Sequence, residues 1–219
     1  MGLAAAMKRV LAVLALQGHS VPRSYIAGAL WGDATEARAS GSLRTVLCRL
    51  RATGLDLITS NGDTVELSPT VDVDVHEACR AARTVIDGPH VDAELAEETR
   101  ILLEPRMCAE LLPGWYEDWV LSERERHRQL TLHALEMLCE HLTAARQCAS
   151  AVLAGLAAVD QEPLRESSQR ALMKAYLAEG NVNEAIRCYR RYMKTLETHA
   201  MTAGPSAAMR ALLAGVPTI

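Results

Sequence analysis

The chain has 219 residues, of which 49% are hydrophobic, and it carries a formal net charge of −4. This size and composition predict a globular protein with one large domain or two small ones, each with its own packed core. The longest apolar run covers only residues 10–16, which is too short for a membrane span.

The sequence lacks the motifs of the common catalytic and cofactor sites. It contains no Gly-x-x-x-x-Gly-Lys-Ser/Thr loop, no Gly-x-Gly-x-x-Gly loop and no Gly-x-Ser-x-Gly elbow. Its six cysteines include no Cys-x-x-Cys pair and lie in apolar segments, which favours single buried thiols in a reducing cytosol. We therefore expect a cytoplasmic protein with no enzymatic activity, no cofactor and no metal.

The N-terminal third of the chain predicts three helices in succession. A segment rich in Ala, Leu and Val covers residues 3–16, and Gly18 after it is a typical C-terminal cap. Ser20 suits the N-cap of a second helix, and Pro22 suits its first turn. A third helix is predicted over residues 36–53, ahead of another glycine.

The pattern then changes from helical to alternating. Apolar and polar residues alternate over residues 55–59 and again over 65–67, on either side of Ser60-Asn61-Gly62-Asp63. Asn-Gly between two alternating runs is a strong hairpin signal. Three helices followed by a hairpin are the order of a winged helix, so this fold is predicted for residues 1–74.

The predicted third helix has one apolar face and arginines on much of the remainder. Leu43, Leu47 and Leu50 recur at i, i+4 and i+7, which predicts a buried stripe. Such a helix can lie in the major groove of DNA, where arginine donates two hydrogen bonds to guanine and flanking arginines contact phosphates. A solvated surface helix is the alternative interpretation of the arginines taken alone.

Positive charge in this part of the chain is local. Residues 1–75 contain seven basic and seven acidic residues, so they carry no net charge. Four arginines nevertheless fall within fourteen residues, namely Arg38, Arg44, Arg49 and Arg51. This density favours contact with a polyanion at the third helix, whatever the net charge of the whole chain.

Residues 75–219 predict helices almost throughout. The predicted helices cover residues 75–86, 92–104, 116–142, 144–159, 165–179, 182–196 and 206–214. Short turns between the last long helices predict antiparallel pairs. Small residues at Ala175, Gly180 and Ala185 are expected to let two helices pack closely, with Tyr176 and Tyr189 filling the space between them. This spacing is tetratricopeptide-like.

Three short segments of this part of the chain resemble the OmpR/PhoB-type winged helix of SARP-type transcriptional regulators. They are LWGD at residues 30–33, RAS at residues 38–40 and LRTVLCRLR at residues 43–51. The resemblance implies that the third helix is the recognition helix and that the hairpin is the wing. It implies base contacts for Thr45 and Arg49, phosphate contacts for Arg38, Ser42, Arg44 and Arg51, and a minor-groove position for the wing tip at Asn61 and Gly62.

Residues 111–192 resemble the bacterial transcriptional activator domain of the same family. Together the two resemblances imply a mainly α protein, with a winged-helix domain over residues 1–74 and an all-α, tetratricopeptide-like repeat domain over residues 75–219. The implied function is that of a DNA-binding transcriptional activator. The implied partners are double-stranded DNA and, through the helical domain, RNA polymerase or a second copy of the chain.

Two features of the sequence leave other functions open. The wing carries Asp63 and Glu66, whose carboxylates repel phosphates. The chain also starts almost at its first helix, without the small sheet that the family usually has there. A protein-interaction module that does not bind DNA is therefore one alternative. A regulator that senses a small ligand in a pocket is another.

Overall fold

The computed structural model describes residues 3–88, 95–104, 107, 109–201 and 204–214. The chain divides into two compact units, residues 1–76 and 77–219. Within the described ranges, no helix combines the length and the apolar character of a membrane span.

The first unit combines helices with a small sheet. Its elements are α1 (Ala5–Gln17), β1 (Val21–Pro22), α2 (Arg23–Leu30), α3 (Glu36–Ala52), β2 (Ile58–Asn61) and β3 (Thr64–Leu67). The strands form one antiparallel sheet in the order β1-β3-β2. Each predicted helix and the predicted hairpin has a counterpart in this order.

The strand β1 is absent from the sequence prediction. Val21 is 1% exposed and pairs with the fully buried Val65 of β3. Two residues are too few to show an alternating pattern, so this strand depends on the neighbouring β3 rather than on a local signal. The helix α2 begins at Arg23, so Pro22 is its N-cap instead of lying in its first turn, and Ser20 lies outside the helix.

The end of α1 is fixed by Gly18 and His76. Gly18 has φ +65°, a left-handed conformation that glycine adopts without steric cost, as expected for a C-cap. His76 Nε2 donates to the carbonyl oxygen of Ala15 at 2.5 Å and so satisfies one of the free carbonyls at the end of this helix. A Cβ at position 18 would lie 3.1 Å from His76 Nε2, so a side chain there would crowd the imidazole.

The second unit is helical wherever it has regular structure in the described ranges. Its elements are α4 (Asp74–Asp87, which begins just before the unit boundary), α5 (Leu95–Leu102), α6 (Asp118–Ala144), α7 (Cys148–Gln161), α8 (Glu166–Glu179), α9 (Val182–Thr198) and α10 (Ala207–Ala211). The first residues of the predicted helix 92–104 lie outside the described residues. The predicted helix 206–214 is shorter in the structure, because turns follow Ala211.

The helices α6 to α9 pack each against the next in chain order. Ala175 and Ala185 are fully buried, as their small size predicts for a helix interface. The prediction of close packing at Gly180 is wrong: this residue has φ +87° and ends α8, and a Cβ added there would meet no atom within 4 Å. The close approach lies at Gly155 instead, where a Cβ would be 3.0 Å from Cα of Leu172.

Candidate nucleic-acid interface

The helix α3 has a buried face and a cationic surface. Leu43, Val46 and Leu50 are at most 6% exposed, and on this side α3 contacts α1 and α2. Helical periodicity places Thr45 and Cys48 directly opposite the buried stripe. Both are exposed, and arginines flank them on either side, Arg44 and Arg51 on one edge and Arg38 and Arg49 on the other. The outward face is therefore narrow, made of small residues and bordered by cations.

The four arginines of this helix have no ion-pair partner among the described residues. In the second unit, by contrast, Arg124, Arg128 and Arg165 each lie 2.6–2.8 Å from a glutamate oxygen. A guanidinium already bound to a carboxylate has fewer donors left for a ligand. The arginines of α3 thus keep their fork of N–H groups for an external acceptor.

The two predicted hydroxyl contacts differ in their surroundings. Thr45 is exposed, and its Oγ1 donates to the carbonyl oxygen of Gly41 at 3.0 Å, one turn earlier in the same helix. This bond leaves the Thr45 hydroxyl with lone pairs to accept a hydrogen bond and with a methyl group for apolar contact. Ser42 is half-buried at the margin of the helix face, a position that suits a contact with a DNA phosphate better than a contact with a base.

Cys48 is exposed on α3, contrary to the expectation of buried thiols. That expectation holds for Cys139 and Cys188, both buried in the second unit, and Cys108 lies outside the described residues. Burial raises the pKa of Cys139 to about 12 and that of Cys188 to about 11, so both thiols stay protonated at neutral pH. The small side chain of Cys48 belongs to the outward face of α3, which the cysteine pattern alone did not indicate.

The hairpin between β2 and β3 closes over two residues. Asn61 pairs with Thr64, so Gly62 and Asp63 form the turn. Gly62 has φ +57°, which explains the glycine at this position. Thr64 Oγ1 donates to the carbonyl oxygen of Asn61 at 3.0 Å and supports the turn. Asn61 and Gly62 are both exposed at this tip, where the end of the wing is predicted.

Arg23 is a part of this tip that the sequence pattern does not reveal. Its Nε donates to the carbonyl oxygen of Gly62 at 3.2 Å, and its backbone N–H donates to the carbonyl oxygen of Asp63 at 2.8 Å. The side-chain contact spans 39 residues of sequence, so no local signal could have found it. A guanidinium therefore lies at the turn that carries the Asp63 carboxylate.

The two wing carboxylates are not equivalent. Asp63 is exposed at the turn, whereas Glu66 is half-buried, two residues into β3, and pairs across the sheet with Thr59. Glu66 lines a cavity of about 160 Å³ together with His19, Ser68 and His76. The sequence predicts that both wing carboxylates repel DNA phosphates. In the structure mainly Asp63 is placed to do so, and the Arg23 guanidinium lies at the same turn.

The charged run of residues 123–128 in α6 is largely paired within the second unit. Glu123 binds Arg126 at 3.0 Å, and Arg128 bridges Glu125 at 2.9 Å and Glu162 at 2.6 Å. These contacts make the run a poor surface for a charged partner. Among the described residues, no group of three or more His, Cys, Asp or Glu side chains has the arrangement needed to hold a metal ion.

Comparison with known protein families identifies the helical part of the chain. The model of the bacterial transcriptional activator domain matches residues 71–216, which is well over half of the sequence. The chain belongs to the bacterial transcriptional activator domain family. This family consists of transcriptional regulators, in keeping with the predicted non-enzymatic class.

One solved structure has a fold similar to this family member over nearly the whole length of the chain. EmbR of Mycobacterium tuberculosis, solved in complex with a low-affinity phosphopeptide, superposes with a TM-score of 0.61 at 20% identity. The match covers 96% of the chain and 58% of EmbR, so the chain spans little more than half the length of that protein. At this identity the likeness is one of fold. No curated protein sequence matches the chain.

Proposed function

We propose that this family member is a sequence-specific DNA-binding transcriptional regulator, an activator, that works in the cytoplasm. In this proposal residues 1–74 form a winged-helix domain whose recognition helix is α3. The observation that carries the proposal is the set of four exposed arginines on α3, which have no ion-pair partner among the described residues and border a face of small residues. That arrangement suits a helix that enters the major groove, with its small face toward the bases and its cations toward the groove walls.

The proposed contacts follow from the positions on the helix. Arg49 donates two hydrogen bonds to a guanine edge, and Thr45 contacts a neighbouring base through its lone pairs or its methyl group. Backbone phosphates are contacted by Arg38, Ser42, Arg44 and Arg51. The wing tip at Asn61 and Gly62 lies in the adjacent minor groove, where the nearby Arg23 adds a cation to the tip.

The helical domain, residues 75–219, supplies the second surface that an activator needs. Repeat arrays of stacked helices present extended surfaces to other proteins. We propose RNA polymerase or a second copy of the chain as its partner. The family assignment supports a protein partner in general, since activators act by recruiting transcription machinery.

A second candidate function is a protein-interaction module that does not bind DNA. The observation in its favour is the exposed Asp63 at the tip of the hairpin, since a carboxylate there opposes the approach of phosphates. The two functions differ in one direct observable, which is binding of the full chain to duplex DNA at low salt.

Selection of bound duplexes from a random pool tests the proposal. The full chain is compared with Arg49→Ala and with Lys8→Ala, a control that removes an exposed cation from α1 of the same unit. We expect an enriched motif with the parent and with Lys8→Ala, and loss of preference at one or two positions with Arg49→Ala. If the parent enriches no motif at low salt and instead retains a protein partner, the interaction module is the correct function.

A further inference from the structure

The helix α9 carries a second cationic surface, far along the chain from α3. Arg187, Arg190, Arg191 and Lys194 recur at i, i+3, i+4 and i+7, so they lie on one stripe of this helix. All four are exposed, and we call this set the α9 stripe. The buried residues of the same helix, Ala185, Cys188, Tyr192 and Leu196, lie on the opposite face. The burial of that face holds the stripe toward solvent.

The charges of the α9 stripe are mostly unpaired. Arg187 lies 2.7 Å from Glu184, one turn earlier. Arg190, Arg191 and Lys194 have no ion-pair partner in the part of the chain that the structure describes. This distinguishes them from Arg124, Arg128 and Arg165 of the same unit, whose donors are bound to glutamates. Three adjacent cations are therefore available on a unit that is acidic overall.

We infer that the α9 stripe binds the phosphate backbone of DNA, as a second contact surface in addition to the one proposed on α3. This inference rests on the proposed function. From Arg187 to Lys194 the helix rises about 10 Å. One strand of B-DNA carries a phosphate about every 3.4 Å of axis and also winds around that axis, so consecutive phosphates are farther apart than this rise. With its long side chains the stripe can reach about three of them.

The stripe suits a nucleic acid better than an acidic protein. Protein interfaces are built around buried aromatic or aliphatic anchors, with charges at the rim. The exposed large apolar residues of the described structure are Tyr25, Leu55, Tyr116, Leu121, Leu153 and Met201, and none of them is on α9. Phosphate contacts need no such anchor, since their free energy comes from the release of counterions.

The test compares the full chain with the triple variant Arg190→Gln/Arg191→Gln/Lys194→Gln by fluorescence anisotropy, on a duplex selected by the parent and on a scrambled duplex. The matched control is Arg80→Gln/Arg83→Gln/Arg126→Gln, which removes three exposed charges from α4 and α6 of the same unit. Each lost phosphate contact lowers the slope of log affinity against log salt by about 0.9.

We expect the salt slope of the triple variant to be shallower than that of the parent by about 2.7. Between 50 and 200 mM salt, the DNA affinity of the variant then falls about 40-fold less than that of the parent. Its preference for the selected over the scrambled duplex stays unchanged, because phosphate contacts carry no sequence information. The control variant keeps the slope of the parent. Circular dichroism and thermal unfolding check that all three proteins are equally folded.

An unchanged slope in the triple variant, with DNA binding by the parent intact, would overturn the inference and leave the proposed function standing. An equal loss in the control would also overturn it, because net charge would then explain the effect. Binding of a labelled poly-glutamate peptide is measured in parallel as a probe for an acidic protein partner. If the parent binds this peptide and the triple variant does not, while their DNA affinities are equal, the stripe contacts an acidic protein and the inference is wrong. If the parent itself binds no DNA, the proposed function fails and this inference fails with it.

Discussion

Arg23 joins the start of α2 to the turn of the hairpin through two hydrogen bonds to Gly62 and Asp63. The side-chain bond to the Gly62 carbonyl is 3.2 Å long, and the backbone bond to the Asp63 carbonyl is 2.8 Å long. Together with the pairing of β1 and β3, these bonds fix the tip of the hairpin to the body of the first unit. They also bring a guanidinium to the turn that carries an exposed carboxylate.

Replacement of Arg23 by alanine should loosen the tip and weaken DNA binding. The variant loses the bond to Gly62 and the cation at the turn, while the backbone bond to Asp63 remains possible. We expect faster amide exchange at residues 62–64 and a salt slope reduced by about 0.9, the value for one phosphate contact. Arg23→Lys keeps the charge and should keep the slope of the parent. Identical exchange and identical slope in the alanine variant would refute the role of Arg23.

The first unit shows which signals a sequence carries locally. The buried stripe of Leu43, Leu47 and Leu50 follows from a spacing within one helix, and all three residues are at most 2% exposed. The hairpin follows from Asn61-Gly62 between two alternating runs, since the left-handed conformation of Gly62 is a requirement of the turn itself. Both predictions depend on residues that are close in sequence.

Contacts between residues that are distant in sequence were not predicted, because no local pattern indicates them. The strand at Val21 exists because it pairs with Val65, and no periodicity can develop over two residues. The contact of Gly155 with Leu172 depends on how two helices cross, and glycine within an apolar helix gives no sign of its neighbour. The half-buried position of Glu66 likewise follows from its place in the sheet. The base and phosphate contacts of α3 remain predictions.

Gly18 offers a test of the packing at the end of α1. Gly18→Ala places a side chain in a left-handed conformation and brings its Cβ within 3.1 Å of His76 Nε2. We expect the free energy of unfolding to fall by about 1–2 kcal/mol, the usual cost of this conformation for a residue with a side chain. Chemical denaturation measures the change.

Gly28→Ala is the matched control for that variant. Gly28 lies within α2, and a Cβ there meets no atom within 4 Å. Alanine is the better helix former, so this variant should be more stable by about 0.5–1 kcal/mol. Equal changes in the free energy of unfolding at the two positions would show that neither the left-handed turn nor the imidazole contact makes position 18 sensitive to a side chain.

Glu136 should make the stability of the second unit depend on pH. Burial raises the pKa of this carboxyl, but hydrogen bonds from Arg165, Ser167 and Ser168 outweigh burial, and the pKa lies below its ordinary value of 4.5. A pKa lowered by folding stabilises the protein above pH 4.5, and this stabilisation is lost as the pH falls through the folded-state pKa.

Glu136→Gln should remove that dependence and weaken the unit. The Glu136 and Arg165 side chains are 13% and 23% exposed, so removal of the carboxylate leaves a largely buried guanidinium without its partner. We expect a loss of about 3 kcal/mol at pH 7, as for other broken buried pairs. The stability profile should also become flatter below about pH 4.5, where the Glu136 carboxyl of the parent takes up its proton. Glu140→Gln, which breaks the half-exposed pair with Lys174, should cost about 1 kcal/mol at most. A parental profile in Glu136→Gln would contradict this account.

The most direct test of the central claim is the ratio of dissociation constants for a selected and a scrambled duplex, measured with the parent, Arg49→Ala and Arg44→Ala. If α3 reads bases through Arg49, the Arg49→Ala ratio falls by about 5- to 150-fold, the equivalent of about 1–3 kcal/mol. Arg44→Ala then weakens binding to both duplexes alike and keeps the ratio. A parent that binds both duplexes equally, or an Arg49→Ala protein with the ratio of the parent, would contradict the claim.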